Sequence, residues 1–208
     1  MTYFKHKLNL YQMEFQHDKS WNCLKEIFAS KLTAKEAWNK FIDFHDKSVP
    51  KSYWTALRKL DIEEEQTEIV NWLQQLIADD PIPETVVAIW IGIFKLADDD
   101  RETPAIYFVG ADTYDKDDID WACDPAYLPE GRYVQPGILQ QIDDIAKADE
   151  ENYEFLDWIL PVAYCTFTFD EIIRTKINKK LFLKHKDKLY AAVGHDSGDY
   201  MNLLNIES

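Results

Sequence analysis

Nine apolar residues run unbroken from Val86 to Phe94, inside TVVAIWIGIFKLA. The run is β-branched and aromatic, and far shorter than the roughly 20 residues of a membrane-spanning helix. With no polar position to turn toward water, it predicts a strand buried on both faces. A second strand, AIYFVGA, follows the polar connector DDDRETP, so the pair is expected to form a long-looped hairpin. Near the end, KLYAAVGHDSGDYMNLLNI reads as two short strands around a Gly-containing turn. These segments predict strands at about 86–96, 105–111, 189–194 and 200–206.

The first eighty residues instead show helical spacing. In TAKEAWNKFIDFHDK, Thr33 and Glu36 form a capping box, and Ala34, Ala37, Trp38, Phe41 and Ile42 share one face. In DIEEEQTEIVNWLQQLIADD, Asp61 caps and Glu63 to Glu65 sit at the positive end of the helix dipole. Ile69, Trp72, Leu73, Leu76 and Ile77 then form an apolar stripe, with Trp72 read as core, as are Trp21, Trp38 and Trp54. Another helix begins after Pro136. Pro161 splits the following apolar segment into one helix before it and a second opened by Thr168 and Glu171. YCTFTF has strand propensity, so 161–169 stays open between helix and strand. The expected fold is α+β: one domain over 1–208, helical through residue 80, then a mainly antiparallel sheet of about four to six strands covered by helices.

Charge supplies the functional clue. The 208-residue chain carries −15 at neutral pH, unevenly distributed. Asp98 to Asp124 has net −8, Asp143 to Asp157 net −6, and Arg174 to Lys188 net +6. Acidic surface repels nucleic acid and anionic membrane, both of which need Lys and Arg for attraction. It favours a basic protein partner, because complementary fields speed encounter. The basic stretch RTKINKKLFLKHKDK is read as a solvated helix end rather than a nucleic-acid site. The opening MTYFKHKLNL has no apolar stretch, so no secretory signal is expected and the chain reads as cytoplasmic.

YFVGADTYDKDDIDWACDP concentrates the acids among aromatic residues. A calcium loop fails there: counting from Asp115, position 5 is Ile119, position 6 is Asp120, and no Glu closes position 12. No His, apolar pocket or other partner group is visible that would set the carboxylates up as an acid–base pair. GHDSGD lacks the spacing of a nucleophile elbow, so Ser197 reads as a turn residue. The five histidines share no zinc spacing, and no phosphate-cradling glycine loop is present. Cys23, Cys123 and Cys165 are odd in number and far apart, and read as buried, inert thiols. No catalytic residue, metal ligand or cofactor is therefore assigned. The candidate partner-binding residues are Asp112, Tyr114, Asp115, Asp117, Asp118, Asp120, Trp121, Tyr127 and Tyr133, with Trp121 equally readable as a pin holding the loop to the core.

PIPETVVAIWIGIFKL, YFVGADTYDKDDIDWACDPAYLPEGRY and AAVGHDSGDY together resemble small immunity proteins of bacterial polymorphic toxin systems, including the SUKH-like group. That resemblance covers about residues 81–134 and 189–204. It implies a non-enzymatic protein that binds and blocks a cognate toxin; a nuclease, with a basic cleft, would suit the acidic segment. Two other readings stay open. One is a metal-dependent hydrolase built from Asp112, Asp120, His195 and Asp199; the other is a regulatory interaction domain unrelated to toxins.

Overall fold

A computed structural model describes residues 14–98, 101–196 and 198–207; the opening segment, the tip of the DDD connector and Ser197 lie outside the described residues. Four helices come first: α1 (His17–Ala29), α2 (Ala34–Ser48), the single turn α3 (Trp54–Leu57) and α4 (Ile62–Asp79). The caps form as the sequence requires. Thr33 Oγ1 accepts from the Glu36 amide while the Glu36 carboxylate accepts from the Thr33 amide, and Asp61 accepts from the Glu64 amide at 3.2 Å.

The sheet is mixed, in the order β3-β2-β1-β4-β5, from β1 (Ala88–Asp98), β2 (Arg101–Ala111), β3 (Tyr133–Val134), β4 (Lys188–His195) and β5 (Tyr200–Asn202). A short β6 (Ile206–Glu207) pairs with the start of β4. β1 and β2 pair antiparallel from Ala88↔Ala111 to Asp98↔Arg101, so a two-residue connection replaces the expected long loop. Pro104, which argued for a connector, is tolerated because β3 reaches only Ile106 and Tyr107, leaving β2 an edge at that point. The fold is α+β and the sheet mainly antiparallel, as expected; the one parallel pairing among the described strands is β1 with β4, and the intervening chain supplies helices that a parallel return requires.

Strand alternation sorts the side chains. Ile89, Ile91 and Ile93, Ile106 and Phe108, and Leu189, Ala191 and Val193 all face the helical core. Ala88, Trp90, Val109, Ala111 and Ala192 face the opposite way, into a smaller cluster completed by Trp121. β1 is thus covered on both faces, by helices on one side and by the acidic loop on the other.

α5 (Gly137–Lys147) follows Pro136, and α6 (Tyr153–Glu171) runs through the middle of the helical layer, continuing as a π-helical turn over Ile172–Lys176. The expected break at Pro161 does not occur, Thr168 opens no new helix, and 161–169 is helix. Residues 159–170 of α6 are buried on every side, so a strand or loop there would strand backbone polar groups in the core. Burial therefore outweighs the roughly 3 kcal/mol cost of an interior proline. Glu171 turns outward from its expected cap to accept from the Ala34 amide at 2.7 Å and from Gln66 at 3.1 Å.

Two other helical expectations change. Glu65, read as a dipole partner, is buried; it accepts from the Ile138 amide at 2.8 Å and from the Tyr164 hydroxyl, tying α4 to α5 and α6. Trp38 and Trp54 are fully buried, whereas Trp72 and Trp21 are half-buried, Trp72 donating to the Gly131 carbonyl at 3.0 Å.

Candidate functional site

Leaving β2, the chain lays residues 112–128 across the outer sheet face. Tyr114 stacks on Tyr190 at 4.1 Å and 8°, and its hydroxyl donates to Asn202. The Lys116 carbonyl accepts from Tyr200 and Asn202. Two Asx turns stiffen the acidic tip: Asp115 accepts from the Asp117 amide at 2.9 Å, and Asp118 from the Asp120 amide at 3.0 Å. The second caps a 3-10 turn, Ile119–Ala122. That turn drives Trp121 against Trp90 and Tyr114, at ring distances of 6.3 and 5.3 Å.

The loop's own hydrogen bonds and rings thus hold its carboxylates outward. Asp112, Asp115, Asp117, Asp118 and Asp120 are all exposed. Among the described residues the one ion pair on this tip is Lys116–Asp117 at 3.8 Å, with both side chains more than 70% exposed, a geometry worth little. The negative field registers on Tyr200, whose phenol is pushed up by partial burial and then by Asp117, Asp118 and Asp115.

The aromatic candidates divide. Tyr133 is half exposed and Tyr114 half-buried. Tyr127, expected to face a partner, is 4% exposed, and Trp121, read either as a partner contact or as a pin, is 7% exposed. Trp121 pins the loop, its indole N–H buried without a partner among the described residues, while Tyr127 bridges to Gly110 and donates to the Asp80 carbonyl. Both are anchors, because a loop can hold carboxylates steady only if its apolar residues are spent on the sheet.

Beside the loop the sheet surface is hollowed. Gly92 and Gly194 are register partners on the outer face. A Cβ at Gly92 would sit 2.1 Å from the Tyr107 ring, and one at Gly194 would sit 2.4 Å from the Asp199 carbonyl. The bare backbone lets Tyr107 lie flat across β1, where its hydroxyl accepts from Trp90 Nε1 at 3.0 Å and donates to Asp196 Oδ1 at 2.6 Å. Burial, then Asp196, raises the Tyr107 phenol well above its ordinary range, so it stays a donor. Above this chain lies a cavity of about 370 Å³, walled by Cys123, Leu128, Arg132 and Tyr133. A second, of about 250 Å³, opens among Phe94, Lys95, Pro104, Asp157 and Pro161. His195 and Asp196 border both.

Lys95 is held by Asp143 at 2.9 Å, Asp157 at 2.7 Å and the Tyr153 hydroxyl at 2.6 Å. Burial alone would lower the Lys95 ammonium, but its hydrogen bonds to Asp157, Tyr153 and Asp143 outweigh that and keep it charged. Sequence reading missed this cluster and Asp196. The readable trace was the outer-face pattern Trp90, Gly92, Phe94, hidden inside a run that looked uniformly apolar.

The hydrolase constellation does not assemble. His195 Nε2 lies 2.8 Å from the Trp158 carbonyl, and Asp199 accepts from Trp158 Nε1 at 2.8 Å, so both are committed to that tryptophan. Among the described residues no group of three His, Cys, Asp or Glu side chains is placed to hold a metal ion. The thiols differ from expectation: Cys165 is buried and Cys23 half-buried, its thiol pushed up to about 11 by burial and then Glu26, but Cys123 is exposed at the cavity wall. No described helix is long and apolar enough to cross a membrane. Compared with family models, curated proteins and solved structures, the chain matches none.

Proposed function

We propose that this chain is a non-enzymatic binding protein of the immunity type, which occludes a basic protein toxin through its acidic loop. One observation carries the reading: five outward carboxylates on a loop pinned by Tyr114, Trp121 and Tyr127, with a single weak internal cation to offset them. A preorganised anionic surface loses little entropy on binding and steers a cationic partner before contact. The resemblance of segments 81–134 and 189–204 to immunity proteins supplies the partner class. The partner would be a toxin with a basic working surface, blocked sterically and electrostatically without turnover or cofactor, in the cytoplasm.

The test pairs the protein with a toxin encoded beside its gene. Co-expression should rescue growth. In surface-based kinetics, Asp117→Lys with Asp118→Lys should slow association by about tenfold at low salt and flatten its ionic-strength dependence. An unchanged association rate rejects the loop as the binding surface.

A further inference from the structure

The outer face offers more than charge. Phe94, Tyr107 and Tyr133 form a ring triangle with centroid separations of 5.5, 5.7 and 6.1 Å, and Tyr133 keeps half its surface in water. The triangle lies where the two cavities meet, and Asp196 stands at that junction. The Trp90–Tyr107 chain fixes one Asp196 oxygen; the other, Oδ2, has no partner among the described residues. The smaller cavity, at about 250 Å³, falls below the roughly 300–1,000 Å³ of small-molecule pockets and has room for one long side chain. Its charged lining is Lys95 against Asp143, Asp157 and Asp196, and Lys147 takes the second Asp143 oxygen at 2.6 Å. In that smaller cavity one negative charge is left over, at Asp196, which makes no ion pair among the described residues; Arg132, on the wall of the larger cavity, lies 4.7 Å over the Tyr133 ring and likewise pairs with no described carboxylate.

We propose that this junction receives an arginine side chain of the cationic partner, its guanidinium paired with Asp196 Oδ2 and packed against the Phe94 and Tyr107 rings, the Tyr133 ring already carrying Arg132. Arginine suits the site better than lysine because its planar, weakly hydrated cation both stacks on aromatic faces and pairs with a carboxylate. The inference rests on the reading of the partner as basic. It divides the labour: the loop sets the encounter rate, and the pocket sets the lifetime of the complex.

The probe is N-acetylarginine amide, titrated into the full chain while the Trp90 indole N–H is followed by NMR, its peak identified by its loss in Trp90→Phe. A guanidinium on Asp196 perturbs Tyr107 and, through it, the Trp90 N–H. The Trp90 peak should shift saturably with arginine amide and stay still with the neutral isostere N-acetylcitrulline amide. Asp196→Asn, with an otherwise unchanged spectrum, should weaken the response at least about tenfold, equivalent to about 1.4 kcal/mol. The double loop variant Asp117→Lys, Asp118→Lys should respond like the parent. An unmoved Trp90 peak, an equal shift with citrulline amide, or full binding by Asp196→Asn overturns the proposal. If the titration fails while the loop variant still slows toxin association, the pocket falls and the loop reading stands. If toxin association is indifferent to the loop while arginine amide still binds, the reverse holds.

Discussion

The two faces of β1 solve different problems with the same strand. On the inner face Ile89, Ile91 and Ile93 join the helical core, in a layer of aliphatic and aromatic residues with little exposure. On the outer face Trp90 meets a loop, the bare Gly92 backbone lies under the Tyr107 ring of β2, and Phe94 remains partly open. The inner layer is continuous and close-packed, which gives stability. The outer layer is a handful of rings under a charged flap, with a cavity left at its edge. On the proposed function, the partner would cover that unfilled edge.

The contrast is open to test. Phe108→Ala, on the inner face, should destabilise by about 3–5 kcal/mol in urea unfolding, through lost burial and a residual cavity. A loss under 1 kcal/mol would mean the inner layer is not the stabilising one. His45 belongs to the same layer: it is 1% exposed, with Nε2 unpartnered among the described residues, amid the rings of Phe41, Trp54 and Phe155. Burial drops its pKa to about 4 from an ordinary 6.5. Above pH 6.5 neither state is protonated there; as pH falls from 6.5 to 4 the unfolded chain takes the proton first, so stability declines across that window. The decline should reach about 3 kcal/mol, and His45→Phe should remove it from the difference between the two stability–pH curves.

Trp121→Ala separates the faces more finely. It should cost about 1–2 kcal/mol globally, because only the small outer cluster loses packing, yet strip hydrogen-exchange protection from the Asp117 and Asp120 amides. Retained protection would show that the Asx turns hold the loop unaided. Smallest of all, Asp117→Lys with Asp118→Lys should move stability by no more than about 0.5 kcal/mol while altering association, since exposed charges act at a distance.

Parts of this molecule were legible residue by residue. The Thr33–Glu36 box, the Asp61 cap, the apolar face of α2 and the existence of β1 and β2 follow from spacing and from local hydrogen bonds that close within one turn. The acidic segment was legible as charge, but not the division of its aromatic residues into anchors and surface. Trp121 and Tyr114 look alike in sequence; burial separates them only after the loop crosses Trp90 and Tyr190.

What the chain alone determined, then, is local: caps, periodicity, and where negative charge accumulates. Tertiary structure decided the rest. It carried α6 through Pro161, because a buried segment must satisfy its backbone within itself. It made the sheet mixed by setting β4 beside β1, and it gathered Phe94 of β1, Tyr107 of β2 and Asp196, in the turn after β4, around two adjoining cavities. Those pairings join residues about a hundred positions apart, and no short-range pattern records them, since their free energy comes from surfaces that meet only once the layers close.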